Sequence, residues 1–402
     1  MWIGTALERT GYGTAAGVYI TPDTALKISS VYACVTILAE TIASLPMMVC
    51  KRLPTGGNKP ADAHPLYSVL HDQFNAQQTS FEAREMGIGH LKLRGNWYSR
   101  KEVDGSGRIV GLCPMNPTYM QVQRVNGEVW YDYQCGGNED ELGNPRRTYS
   151  ASEIWHVKGF TTTGLTGLST ISNARESMGL AKGLADFQGE FFGRKAVPGA
   201  IIESPKALGP KGRANLRDGI QEYASSRRHT ALVLEEGMKW NNVGISNKDA
   251  QFLELSNASV RDIARWFKVP LILLQEPDKV STYASAEQFM LSFVVHTISP
   301  IVARIEQSAN VALLTESERR RGYYVKINVN GLLRGDFKTR MDGYRIGREG
   351  GWLCADDVRA LEDMTPLPED KGQIFIQPMN FIEAGTQPVE PAGSEPDNGE
   401  QE

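Results

Sequence analysis

An α+β fold is predicted for this chain by three observations. Apolar residues recur at helical spacing in several well-separated segments, the first running from Val31 to Leu45. Between about Asn96 and Val157 the pattern changes to short strand-like runs divided by turn formers. And 402 residues are too many for one ordinary core, so two or more modules are expected.

Residues 1–22 are rich in Gly and Thr and carry no periodicity, which reads as a flexible arm extending to about residue 24. Val31, Val35, Leu38, Ile42 and Leu45 then mark one face of a helix. Pro46 stops it, and Met47–Cys50 reads as a strand. HPLYSVLHDQF and TSFEAREMGIGHLKLRG are two further helical blocks, the second with Thr79 or Ser80 as its cap, Glu82 and Glu85 in its first turns, and Gly95 at its end. A meander follows. Asp104-Gly105 and Asn126-Gly127 are hairpin signals, and Ile154–Val157 is its last strand.

Helix resumes over 169–194, with Ser169 as cap. A strand (Gly199–Glu203), a helix from Pro210 and a strand (Thr230–Leu234) form an insert of about 50 residues. Lys248–Phe267 is helical and stops before Val269-Pro270. The turn formers of QEPDKVSTYAS precede a long helix over about 285–314, in which Pro300 predicts a kink. Tyr323–Val329 reads as a strand, and Asp336–Glu349 and Ala355–Met364 as two short helices. The last 20 or so residues have a disordered composition.

Net charge is −4, with 41% hydrophobic and 22% charged residues, a soluble globular profile without a global nucleic-acid signature. From Gly372 to Glu402 there are six acidic residues and no Lys or Arg, so the body is close to neutral. Such a body offers little net attraction to phosphate, since it is each cationic phosphate contact that adds salt-dependent affinity. The five cysteines show no CxxC spacing, which fits a reducing cytoplasm and no structural zinc. No signal peptide and no apolar run of about 20 residues is read, so no membrane is expected.

Catalytic signatures are missing. His64, His71, His90, His156, His229 and His296 fall in no HExxH or similar pattern. His296 reads as a core or interface residue on an apolar helix, and His156 as structural. GLTGLST precedes a helix but has no P-loop lysine, so it reads as a helix entry turn, with phosphate cradling as the other reading. Asp356-Asp357 sit where they complement a helix dipole. No catalytic residue, cofactor or metal ligand is assigned.

Several segments in co-linear order resemble recurrent motifs of phage portal proteins of the short-chain siphovirus type. They are VYACVTILAETIASLPMMVCKR, HPLYSVL, FEAREM with HLKLRGNWYSR, and SEIWHVKGF with GLTGLS. FLELSNASVRDIARWFKVP, TYASAEQFMLSFVVHTISPIVARIEQSANVALL, and Leu333–Asp336 with GREGGWLCADDVRALEDMTPLP complete the series. The likeness covers roughly 25–368. It departs from the family after FFGR, where Lys195-Ala196 stands in place of an expected Asn-Gly.

The resemblance implies a portal fold. Residues 1–24 would be the arm, 25–168 a wing of helices and β meander, 169–197 and 246–270 a two-helix stem, and 198–245 a small β-α-β clip. Residues 271–284 would be the tunnel loop, 285–332 the long kinked helix and the wing's return strand, 333–371 a small helical crown, and 372–402 a disordered acidic tail.

In function it implies a non-enzymatic virion protein at the capsid vertex, assembled in the host cytoplasm as a homo-oligomeric ring of about twelve copies. The partners implied are double-stranded viral DNA in the channel, terminase, major capsid or scaffolding protein, and a head–tail connector or adaptor. Lys279, Ser281 and Thr282 would contact DNA, Arg227 and Arg228 of the clip would dock partners, and Pro300 would set the kink. For Arg227-Arg228 a solvated turn, and for the loop an ordinary surface loop, are the alternatives. For the whole chain the alternative is a minor capsid or tail protein without a channel.

Overall fold

The computed structural model of the protein describes residues 13–54, 57–193, 200–203, 209–210, 212–214, 216–218, 239–242, 247–275, 283–333, 337–362, 364–365 and 367–376. Residues up to Asn328 make one unit and those from Val329 onward a second. The architecture is mixed α+β.

The first unit opens with α1 (Pro22–Ala25), α2 (Ser29–Ala43) and β1 (Met47–Arg52). The five apolar positions read from the sequence, Val31 through Leu45, are all buried, the outcome an i, i+4, i+7 stripe requires. The arm expected to be flexible over 1–24 is folded from Gly13 on. Gly13 bridges Tyr19, Thr14 Oγ1 donates to the Val18 carbonyl at 2.9 Å, and Thr21 with Thr24 builds a capping box on α1.

Beyond β2 (Asn58–Pro60), α3 (Pro65–His71) and the short pair β3 (Gln73–Asn75) and β4 (Gln78–Thr79) comes α4 (Ser80–Arg94). Thr79 is its cap, in a box with Glu82, and Gly95 closes it at φ 78°. Arg84 is buried and donates to the carbonyls of Ser80 and Leu45, tying α4 to the end of α2. Burial pushes that guanidinium down to about 10.

β5 (Asn96–Val103), β6 (Ile109–Met115) and β10 (Ile154–Lys158) form one sheet in the order β10-β5-β6; β7 (Met120–Val125), β8 (Glu128–Tyr133) and β9 (Thr148–Ser150) form another. Trp97 of β5 and Trp155 of β10 meet at 4.7 Å between ring centroids. Each buried indole N–H finds a hydroxyl at 3.0 Å, Ser99 and Ser308. Gly87 of α4 makes this possible, since a Cβ there would lie inside the Trp97 indole. Asn126 (φ 52°) and Gly127 (φ 88°) form the β7–β8 turn that Asn-Gly predicts. Asp104-Gly105 does not do the same. Asp104 Oδ1 accepts from Ser106 N and Arg108 N instead, and Gly107 takes the positive φ.

α5 (Thr170–Asn173) and α6 (Arg175–Gly193) replace the single helix expected over 169–194, with a break at Ala174. Then follow β11 (Ala200–Glu203), β12 (Lys239–Asn242) and α7 (Asn247–Phe267). The long helix is α8 (Tyr283–Phe293), a π turn over Val294–Ile298, and α9 (Ser299–Ala312). α10 (Glu316–Arg320) and β13 (Tyr323–Ile327) complete the unit. β13 returns antiparallel to β1, pairing Met47 with Ile327 and Lys51 with Tyr323.

Contrary to the sequence reading, Gln288–Ala312 is long and apolar enough to cross a membrane by length and composition. Its inner face, including Ile298, Ile301, Ile305 and Ala309, is buried, and α9 packs on β10 and β13. Glu306 and Asn310 accept the β13 amides of Ile327 (2.8 Å) and Val325 (2.7 Å). These are the contacts of a core helix that also satisfies a sheet edge. His296 is exposed here, not in the core.

The second unit holds α11 (Asn330–Leu333), α12 (Phe337–Glu349) and α13 (Ala355–Leu361), the last shorter than expected. Asp357 Oδ2 accepts the Cys354 amide at 2.8 Å as part of a capping box. Asp356 is used differently, accepting Leu367 N at 2.9 Å. Tyr344 and Arg340 both bind Glu362, joining α12 to the end of α13.

Candidate functional site

The helices expected over 169–197 and 246–270 are α5, α6 and α7, and α6 packs along α7. Trp266 Nε1, in the last turn of α7, donates to Ser177 Oγ, in the first turn of α6, at 3.3 Å. The pair is therefore antiparallel, with this end rooted in the body. At the other end β11 pairs antiparallel with β12, Ala200 opposite Asn242 and Glu203 opposite Lys239. The insert thus leaves and re-enters the helix pair at one place. Residues 210, 212–214 and 216–218 are helical, where a helix from Pro210 is expected. The strand expected at 230–234 and the pair Arg227 and Arg228 lie outside the described residues. The sequence reading missed β12, because KWNN has no alternation and becomes a strand only by pairing with AIIE.

The root of α6 is locked by backbone. In GLTGLST, Gly167 N donates to Asn96 Oδ1 at 2.7 Å, and Asn96 Nδ2 donates to the Gly167 carbonyl at 3.0 Å. Ser169 Oγ donates to the Leu93 carbonyl at 2.7 Å and accepts from Ser172 N at 3.1 Å, capping α5. Gly159 N reaches the Gly95 carbonyl at 2.7 Å. The segment's polar groups are used inside the fold, as an entry turn requires. His156 joins this knot, with Nε2 2.9 Å from Asn96 Oδ1 and Nδ1 3.3 Å from the Tyr131 hydroxyl. A neutral ring that donates from Nε2 and accepts at Nδ1 satisfies both. Burial, then Lys158, pushes His156 down to about 3.

The folded arm clasps the same root. Ala15 N donates to Glu176 Oε2 at 3.0 Å. Thr14 covers Gly179, where a Cβ would approach its Oγ1 to 2.5 Å. The arm is ordered because α6 offers it Gly179 and, one turn on, Gly183, a small-residue groove that composition alone does not reveal. Farther along, Phe187 is 59% exposed, and on α7 Trp266 is 43% exposed.

Lys279, Ser281 and Thr282 also lie outside the described residues, but both ends of their loop are described. α7 ends with Lys268 at φ 57°, followed by Pro270, a 3-10 turn over Leu271–Leu274, and Gln275 at φ 58°. The chain re-enters helix at Tyr283. Thr297 Oγ1, in the π turn, donates to the Lys268 carbonyl at 2.8 Å, so the two sides are tied at the loop's base. Pro300 stands at the start of α9, directly after the π turn. Its missing N–H leaves the carbonyl four residues back without a helical donor, and a widened turn before it fits that loss.

Cations gather at this base. Arg261, Arg265 and Lys268 border a groove with Val269 and Pro270, and Arg265 pairs with Asp262 at 2.5 Å. Burial, then the like charges of Lys268 and Arg304, push the Lys92 ammonium down to about 8. Arg304 Nη1 donates to the carbonyls of Lys158 (2.8 Å) and Gly159 (2.6 Å). The sequence reading did not single out this group, since its members are scattered over α4, α7 and α9. Among the described residues no three His, Cys, Asp or Glu side chains are grouped to hold a metal.

The family model for phage portal proteins matches residues 29–363. The chain is 32% identical over 395 residues to a probable portal protein of Streptomyces phage phiC31, covering 95% of this chain and 84% of that one. It is 30% identical over 377 residues to the portal protein of Enterobacteria phage HK97, covering 93% and 87%. In structure it is similar to a chain from the neck of a native gene transfer agent particle computed with C12 symmetry, at TM-score 0.59 and 20% identity, covering 90% and 99%.

Proposed function

Because the chain belongs to the phage portal protein family, we propose that it is the ring subunit through which viral DNA enters and leaves the capsid, and on which terminase and the head–tail connector dock. The family is structural and not enzymatic, and the protein is a component of the virion. The observation that carries the finer reading is the antiparallel α6–α7 pair, with a strand-paired insert at its far end and a tied loop at its root.

In this reading α6 and α7 are the stem, residues 198–245 the clip, 271–284 the tunnel loop, 25–168 with β13 the wing, and 333–371 the crown. A helix pair with a small insert suits a ring. About 50 residues bury little apolar surface alone, and a neighbouring copy supplies what is missing. Rotational closure then removes free strand edges. Arg227 and Arg228 would meet docking partners, and capsid or scaffolding protein would recruit the ring. Lys279, Ser281 and Thr282 would make exchangeable contacts to phosphates, with Asp278 weakening the attraction so that DNA moves. The cations at the loop base add positive potential beneath it.

Electron microscopy of the full chain co-expressed with its capsid protein tests this. The expected particle is a ring of about twelve subunits, the number suggested by the C12 neck, with an axial hole wide enough for duplex DNA. Failure to form any ring sinks the reading, and an assembly without a hole favours a minor capsid or tail protein. Lys279→Ala is expected to keep the ring and change the amount of DNA packaged. Pro300→Ala restores a helical donor and should shift the π turn that carries Thr297. Phage bearing it are expected to package less DNA, and normal packaging would make the kink incidental.

A further inference from the structure

A groove of about 430 Å³ runs between α2 and α4 on the first unit, lined by no residue of the stem helices. Val35 and Ala39 of α2 and Met86 and Leu93 of α4 give it apolar walls. Along α4 it extends from Glu82 to Leu93, roughly 16 Å at helical rise, or about three turns. Tyr32, one turn before Thr36 of the wall, is 58% exposed, and Met86 is exposed too.

Gly89 lies in this groove, and among the described residues nothing requires it to be glycine. A helical glycine is destabilising relative to alanine. Gly87, two residues earlier, is required by Trp97, whereas a Cβ on Gly89 would meet nothing within 4 Å. The missing side chain leaves room for something outside the chain to approach the helix closely.

The charge of the rim restricts what that is. The charged residues lining the groove, Glu82 and Glu85, are both carboxylates. Glu82 is held below its ordinary range by hydrogen bonds from Thr79, first the backbone amide and then the hydroxyl. Glu85 is half-buried and forms no ion pair with any described residue. The chain's own C-terminal segment has the wrong sign, with six acidic residues and no Lys or Arg after Gly372.

We propose that the α2–α4 groove docks a basic amphipathic helix of another protein, its apolar stripe against Val35, Ala39 and Met86 over Gly89, and its Lys or Arg side chains toward Glu82 and Glu85. This is helix-in-groove recognition, with adaptable Met at the contact. It does not rest on the ring, since the groove exists in the single chain.

The test titrates a fluorescein-labelled Leu/Lys amphipathic helical peptide, and its Leu/Glu counterpart, against the full-length protein by fluorescence anisotropy. Saturable binding of the Leu/Lys peptide alone is expected. Gly89→Gln, which fills the groove without adding charge, should weaken it roughly tenfold while thermal stability is kept or raised. Glu85→Gln should weaken it less. Unchanged affinity in Gly89→Gln, or equal binding of the Leu/Glu peptide, overturns the proposal. So does a photocrosslinker at position 89 that joins only copies of this chain, which would assign the groove to a ring contact.

Discussion

Gly167→Ala is expected to lower the stability of the first unit by more than about 3 kcal/mol, read as a fall in the urea midpoint with little change in slope. The reason is local and involves backbone only. A Cβ on Gly167 would collide with the Gly95 carbonyl oxygen and lie 2.5 Å from Gly159 N. None of those atoms belongs to a flexible side chain. Relief by movement would break the paired Asn96–Gly167 hydrogen bonds and strain the Gly159–Gly95 bond, leaving buried polar groups unsatisfied. It would also displace Ser169, whose hydroxyl caps α5. Gly89→Ala is the control, because it adds the same methyl in open space and should stabilise by about 0.5–1 kcal/mol. Equal midpoints for Gly167→Ala and the parent would mean that the knot is slack.

That knot shows where sequence reading works and where it stops. GLTGLST is legible as a helix entry turn, because Ser169 before an apolar-periodic run is a local signal. Its partners are not legible, because Asn96 and Gly95 lie some 70 residues away and nothing local says which glycine must approach which carbonyl. The same division holds elsewhere. The α2 stripe, the Asn126-Gly127 turn and the β13 strand are written in spacing that each segment carries alone. The order of residues 13–25 depends on Gly179 and Gly183 of another helix, and β12 depends on β11. At the candidate site, the two helices and the loop position are legible. The cations beneath the loop are not, since Lys92, Lys268 and Arg304 meet only in the fold.

Acidification from pH 7 to pH 5 is expected to cost the first unit about 3–4 kcal/mol, and two histidines account for it. His90 is pushed down to about 4, by burial first and then by Arg94, and its buried Nδ1 has no hydrogen-bond partner among the described residues. His156 is pushed down to about 3 by burial and Lys158. Both folded values lie below the ordinary histidine value. Near pH 7 the folded rings are neutral and the unfolded chain binds only a small fraction of a proton at each, so nearly all of the stability from keeping both rings neutral is present. As pH falls through about 6.5 the unfolded chain takes up protons that the folded chain refuses, so stability drops by up to about 1.4 kcal/mol per pH unit for each ring. The loss levels off only near the folded values. His156→Gln keeps an amide that can serve Asn96 or Tyr131 and removes the titration, so about half of the pH 7 to pH 5 difference should vanish. His90→Gln should remove the other half. Urea midpoints of the parent and both variants at the two pH values measure this, and a parent equally stable at pH 7 and pH 5 contradicts it.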